Sequence, residues 1–305
     1  MDKFRTLEIF IAVAETEGFA AGARKCRLSA PVATKAISEL EASLGVRLLN
    51  RTTRQVSLTD AGQRYLVDAR RIVEELKEAD ASVIGLHAKP IGTLSVTAPA
   101  LFGRLFVTPV MVAYLKQYPQ MKATLLFQDR IVNLAEEGID LAVRIGHLPD
   151  SSLNAIPLGY VKRVVVGSPD YLRRQGTPKH PKDLQHHQLI AAVHMNPIQE
   201  WRFGKTDQPT SVRLEPSLMT TTNDAAIEAA VLGFGLTRVL SYQVANEVEQ
   251  GKLKVCLSKF EPDPLPVQIV HREGRTSTAK TRAFIDLAKA MLSTSLARNH
   301  PTPLP

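Results

Sequence analysis

From Thr59 to about His87 the residues Tyr65, Ala69, Ile72, Leu76, Ala79, Val83 and Leu86 alternate steps of four and three, an apolar repeat of 3.5 residues. So narrow a stripe seeks a partner helix. At ~1.5 Å per residue the helix would run roughly 40 Å, far enough to hold two folded units apart. Thr59 is placed to cap it, Pro90 to stop it and Gly92 to open the next unit. The 305 residues are thereby divided into a short N-terminal part and a C-terminal part large enough for a bilobal core.

In the N-terminal part Phe4, Leu7, Ile11 and Ala14, with Phe10 and Val13 beside them, mark one buried helix face ending near Gly18. A second helix, Ala20 to about Cys26, leads into Arg27-Leu28-Ser29. Ser29 can cap a third helix, with Pro31 in its first turn, where a missing N–H costs little. Ala33, Ile37, Leu40 and Leu44 form the inward stripe of that helix and turn Ala30, Pro31, Thr34, Lys35 and Ser38 outward. Small residues let a helix sink into the DNA major groove, and Thr and Lys supply contacts to base edges and phosphates. After Gly45, Val46–Leu49 and Arg54–Leu58 read as two short strands, a wing with Arg51, Thr52, Thr53 and Arg54 at its tip.

The net charge is +8, and its location carries more information than its size. Between residues 24 and 54 stand Arg24, Lys25, Arg27, Lys35, Arg47, Arg51 and Arg54, against Glu39 and Glu41 alone, leaving +5 on one short segment. That is the electrostatic footprint of a phosphate-binding face.

Beyond Thr93, strands and helices alternate, as in an α/β sheet. Strands are expected at Leu94–Thr97, Ala123–Phe127, Leu141–Ile145, Val161–Val166, Leu189–Val193, Leu236–Leu240 and Val267–His271. Helices are expected after Pro109, near Ile131–Glu137, at Asn223–Leu232, Ser241–Gln250 and Thr278–Leu292. Ser293–Pro305 reads as a frayed end, flexible from residue 297.

The order and spacing of Phe19-Ala20-Ala21-Gly22-Ala23-Arg24, Leu28-Ser29-Ala30-Pro31, Lys35-Ala36-Ile37, Leu40-Glu41, Leu44 to Arg54 and Leu58-Thr59-Asp60-Ala61-Gly62 resemble the N-terminal signature of LysR-type transcriptional regulators. The resemblance implies an all-α winged helix-turn-helix domain (residues 1–58) plus a long dimerising linker helix (59–89). An α/β two-lobed, periplasmic-binding-protein-like effector domain would follow over 90–296, lobe I being 90–162 and 267–296 and lobe II 163–266. It further implies a bacterial, cytoplasmic homodimer or homotetramer that binds double-stranded promoter DNA and a small-molecule effector, with RNA polymerase a candidate partner. Thr97, Ala98, Ala100, Leu101 and Phe102, then Arg144, Ile145 and Gly146, then Thr222, Asn223 and Asp224 would line the effector cleft. Arg144 is able to pair with an effector carboxylate and equally able to serve an internal ion pair; Asn223 and Asp224 are also ordinary N-cap residues. Three positions depart from the family pattern: Ala30 replaces the usual Gln, Ala20 the usual Ser, and Cys26-Arg27 the usual Leu-Gly. The first removes a side chain able to read an adenine.

No cofactor, metal or enzymatic activity is expected. His186 and His187 are adjacent and lack further ligands at metal-binding spacing. Gly233-Phe234-Gly235 follows a helix and lacks a third glycine, and no P-loop or nucleophile elbow occurs. Cys26 and Cys256 read as lone buried thiols, His194 and His271 as structural histidines, and Trp201 as local packing. The start, Met1-Asp2-Lys3-Phe4-Arg5, lacks the apolar core of an export signal, and a soluble protein without membrane contact is expected. The rival class is a solute-binding protein or small α/β enzyme whose basic N-terminal segment only dimerises it.

Overall fold

The computed structural model describes residues 1–51, 56–83, 89–130, 132–134, 136–147, 153–192, 199–205, 209–272 and 278–298. Two compact units, Met1–Gly92 and Thr93–Pro305, divide the chain.

In the first unit, α1 (Lys3–Thr16), α2 (Phe19–Lys25) and α3 (Ala30–Leu44) precede a hairpin of β1 (Leu49–Arg51) and β2 (Val56–Leu58), and α4 (Asp60–Val83) closes the unit. Ile9, Phe10, Val13, Ala33, Ile37, Leu48, Leu49 and Ala69 form a single core. Each large aliphatic or aromatic side chain buried there contributes about 1.5–3 kcal/mol. Leu44, expected inside, is exposed at the last turn of α3 although it lies on the same stripe, and Ala36 is buried beside Ala33, Ile37 and Leu40. The antiparallel hairpin pairs Leu49 with Leu58 and Arg51 with Val56. Thr59 accepts a hydrogen bond from the Gly62 N–H on its Oγ1 (2.9 Å), so the expected cap of the long helix is present. Gly62 is required by close approach, since a Cβ there would stand 1.9 Å from the Leu48 carbonyl oxygen.

The second unit carries two five-stranded sheets. The first has the order β4 (Met121–Phe127), β3 (Gly92–Ala98), β5 (Leu141–Ile145), β14 (Leu265–Arg272), β6 (Leu153–Val161). The second has the order β11 (Leu218–Thr220), β8 (Leu189–Ala192), β12 (Leu236–Leu240), β7 (Arg163–Gly167), β13 (Lys254–Cys256), with a separate hairpin of β9 (Gln199–Phe203) and β10 (Thr210–Leu214). One helical run, α5 (Ala100–Phe102), a π-turn (Gly103–Val107) and α6 (Thr108–Gln117), covers the first sheet with α10 (Ala279–Arg298). α7 (Pro169–Gln175) and α8 (Asn223–Val231) pack on opposite faces of the second sheet.

Four expectations need correction. The described residues near Ile131–Glu137 form turns: one bond from the Glu137 N–H to the Asn133 carbonyl closes a single turn, and Gly138 (φ 64°) leads out of it. The Ser241–Gln250 segment is a 3₁₀ turn (Ser241–Gln243) followed by α9 (Ala245–Glu249), broken at Val244, whose φ of −122° is not helical. Leu265 and Pro266 already pair with Val161 and Tyr160, so the return to the first sheet comes earlier than residue 267. The final helix reaches Arg298, because Leu292 and Leu296 are buried in the first lobe's core; the expected tail from residue 299, with Leu86 and His194, lies outside the described residues.

The crossover between lobes is tied from both sides. The Ser241 N–H donates to the Lys162 carbonyl (2.8 Å) and the Lys162 N–H to Ser241 Oγ (3.2 Å). The Tyr242 ring, just past β12 of the second lobe, stands edge-on to Phe102 and Phe106 of the first at 5.3 and 5.6 Å. Rings in that arrangement are held by their quadrupoles as well as by burial.

Candidate functional site

The outward side of α3 carries Ala30, Pro31, Thr34, Lys35 and Ser38 within an arc of about 140°, with Ser29 at the helix entrance. Ser29 occupies the N-cap position, yet its hydroxyl makes no capping bond, contrary to expectation, and is left for another partner. Thr34 donates its hydroxyl proton back to the Ala30 carbonyl (2.9 Å), so toward solvent it offers a methyl and lone pairs. Lys35 is highly exposed, with Nζ 3.9 Å from Glu39, a surface pair weak enough to be exchanged for a stronger anion. Thr52, Thr53 and Arg54 lie outside the described residues, and of Arg51 only the strand position is described.

What aims the wing is a signature residue to which the sequence reading gave no contact. Glu41, on α3, accepts hydrogen bonds on Oε1 from the N–H groups of Leu48 (2.9 Å) and Leu49 (3.1 Å). Thr59 Oγ1 donates to the Arg47 carbonyl (2.8 Å) from the other side. Helix and hairpin therefore form one surface. Behind it α4 is fastened to α1 by Arg70–Glu15 (3.0 Å) and Lys77–Glu8 (3.1 Å). Burial pushes the Glu15 carboxyl up, but the hydrogen bonds and charges of Lys25 and Arg70 hold it below its ordinary value. Along α4, Tyr65 and Ala69 are drawn into the unit's own core, whereas Ile72 and Leu76 stand 45% and 43% exposed.

In the second unit the expected effector residues separate into two groups. Thr97, Ala98 and Phe102 are wholly buried, and the Thr97 hydroxyl donates to the Leu126 carbonyl (2.6 Å). These three are closed to solvent, and Ala98 and Phe102 belong to the first lobe's core. Ala100 and Leu101 are half-buried, and the Ala100 N–H is taken by Asp129 (3.0 Å). Arg144 is half-buried, donates to the Val132 carbonyl (3.4 Å) and faces the 130s turn; burial lowers its pKa and the charge of Glu137 opposes that. Ile145 packs on the first core, and Gly146 accepts from Gln268 Nε2 (3.2 Å). Thr222 and Asp224 are exposed and Asn223 half-buried at the start of α8. The Asp224 carboxyl is held below its ordinary value chiefly by its bond with Thr222, with burial opposing and the Ala225 N–H and the charge of Arg104, from the other lobe, adding to it.

Other sequence candidates resolve as structure. The Gln188 N–H donates to the Tyr171 hydroxyl (2.9 Å), which leaves that O–H to donate to His187 Nδ1 (3.1 Å). His271 is wholly buried on β14. Both cysteines are buried, and burial raises the Cys256 thiol to about 11, far from a reactive thiolate. Trp201 is buried against the second lobe's core. Among the described residues no cluster of three or more His, Cys, Asp or Glu is placed to hold a metal, and no helix is long and apolar enough to cross a membrane.

Residues 4–63 match the model of the bacterial regulatory helix-turn-helix proteins of the LysR family, and residues 87–293 match the LysR substrate-binding domain. The chain belongs to the LysR family. Relatives span it almost end to end. An HTH-type transcriptional regulator of Haemophilus influenzae is 32% identical over 90% of this chain and 96% of its own. The activator AaeR of Escherichia coli is 30% identical over 94% and 93%. Among solved structures, the LysR-type regulator CrgA of Neisseria meningitidis superposes with a TM-score of 0.61 at 28% identity, covering 94% of this chain and 98% of that one. The full-length virulence activator AphB of Vibrio cholerae gives 0.60 at 25%, covering 95% and 100%. A LysR protein is a DNA-binding transcriptional regulator with a small-molecule effector domain, and its family is not one of enzymes; the solute-binding and enzyme rival is set aside.

Proposed function

We propose that this LysR regulator places α3 in the major groove of its operator, with Ser29, Ala30, Pro31, Thr34, Lys35 and Ser38 at the interface and Arg51, Thr52, Thr53 and Arg54 of the wing on the flanking backbone. The observation that carries this is the continuous surface made by the outward face of α3 and the hairpin fastened to it through Glu41. Ala30 leaves a small gap where a longer side chain would reach a base, so specificity at that position comes from Thr34 and from DNA shape.

Two chains pair through the exposed Ile72 and Leu76 of α4, as dimers or as tetramers of two such pairs, and so present two recognition helices to a pseudo-palindromic site in the bacterial cytoplasm. The effector sits between the lobes against Ala100, Leu101, Gly146, Thr222, Asn223 and Asp224, with Arg144 and Ile145 as a supporting wall. By favouring one arrangement of the lobes it changes the spacing of the DNA-binding heads and the bend they impose, and RNA polymerase beside the site reads the result.

The test is the salt dependence of DNA binding. Lys35→Ala should reduce the slope of log affinity against log salt by about 0.9, one phosphate contact. An unchanged slope removes Lys35 from the phosphate-contacting set.

A further inference from the structure

Two arginines stand together on one face of the second lobe's sheet. β7 and β12 run antiparallel, with Arg163 opposite Leu240 and Val165 opposite Arg238, so the side chains of Arg163 and Arg238 rise diagonally from one face of the sheet. Arg238 is pinned. Its guanidinium lies 4.9 Å from the centre of the Phe203 ring and 5.8 Å from that of Trp201, and Nη2 donates to the Arg202 carbonyl (2.6 Å). Arg163 beside it remains exposed.

Neither guanidinium has a carboxylate partner among the described residues. Burial lowers the pKa of Arg238 to about 10, with the charge of Arg163 adding to the effect. Glu261, on the crossover, is occupied by Lys162 (3.5 Å). Crowded cations are ordinarily paired, so two adjacent ones without a counter-charge describe a place for an anion.

Their position is informative as well. β8 and β11 run parallel with β12, and β7 runs antiparallel to it, so the start of β7 and the ends of β11 and β12 share one end of the sheet. Thr222–Asp224 follow β11 at that same end. The arginines stand on the α7 side of the sheet and α8 on the other.

We propose that Arg163 and Arg238 form an oxyanion subsite that takes the anionic group of a small effector, with Arg238 as the fixed fork and Arg163 closing over it. Such a fork donates two parallel N–H bonds to a carboxylate or to a phosphate alike, so what the subsite recognises is an oxyanion. This rests on the effector reading above and moves charge recognition from Arg144 to the second lobe.

The experiment is thermal unfolding of the full chain in sodium acetate, sodium phosphate and sodium chloride at matched ionic strength, for the native protein and Arg163→Gln. In the native protein acetate and phosphate, each near tenfold its Kd, raise Tm by about 3–5 °C over chloride. Arg163→Gln, an exposed position, folds, is slightly more stable than the native protein in chloride because a like charge is gone, and loses both increments. General salting effects are common to both proteins and cancel. Equal increments in the two proteins, or no increment in either, overturns the proposal. Duplex binding by Arg163→Gln in chloride, followed in parallel, stays at the native level; its loss would indict the DNA reading and not the subsite.

Discussion

Lys280 Nζ lies 3.6 Å from Asp140 Oδ1, with the two side chains only 6% and 12% exposed. The lysine also donates to the Thr93 carbonyl (3.0 Å), and the aspartate accepts from the Ser95 N–H on Oδ2 (2.9 Å). This pair therefore joins the last helix, the first strand of the effector domain and the entry to β5. Removing one partner strands a buried charge. Lys280→Met should cost about 3–5 kcal/mol in urea unfolding, and Lys280→Met with Asp140→Leu should recover a substantial part of that loss. A double variant as unstable as the sum of the singles would mean that the pair's bonds to the backbone, rather than its charges, dominate.

Glu41 should matter more to DNA binding than to folding. Glu41→Ala removes the acceptor of two backbone N–H groups at a half-exposed position, costing about 1 kcal/mol of stability. It should weaken operator affinity several-fold, because the wing is no longer fixed to the recognition helix. Glu41→Gln keeps an acceptor oxygen and should restore most of the affinity. Fluorescence anisotropy and urea unfolding on the same preparations separate the two effects, and equal fractional losses in both would contradict the positioning role.

His187 makes the second lobe sensitive to acid. Burial is the main cause holding its pKa below the ordinary value of about 6.5, and the neutral ring accepts the Tyr171 hydroxyl. The unfolded chain takes up the proton near 6.5 and the folded one only at lower pH. The contribution is therefore complete above 6.5 and is lost as pH falls through the depressed folded value. Urea midpoints from pH 7.5 to 5 should fall more steeply for the native protein than for His187→Gln. Parallel curves would exclude His187 as the titrating group.

The helix-turn-helix was legible because its punctuation is local: Pro31 opens α3, Gly45 ends it, and Thr59 caps α4 three residues before the glycine that must pass Leu48. The cleft was less so. Thr97, Ala98 and Phe102 were expected to line it and are wholly buried: the end of β3 has both faces covered, which leaves no polar side to read, and Phe102 on α5 packs into the first lobe's core. The π-turn at Gly103–Val107 has no composition of its own to announce it. Arg163 and Arg238 went unnoticed because only the pairing of β7 with β12, strands far apart in the chain, brings them together. Glu41 was legible as part of the signature, but its role was not, since its two N–H donors lie seven and eight residues on, beyond the end of its own helix.

Fluorescence anisotropy of the purified protein on duplex DNA from upstream of its own gene, against a scrambled duplex at roughly physiological salt, tests the central claim most directly, since non-specific binding is weak there. Tight binding to the upstream duplex alone, lost on lengthening the site between its two halves, is the predicted result. Equal, weak binding to both duplexes, with no preferred sequence returned by genome-wide DNA selection, would contradict it.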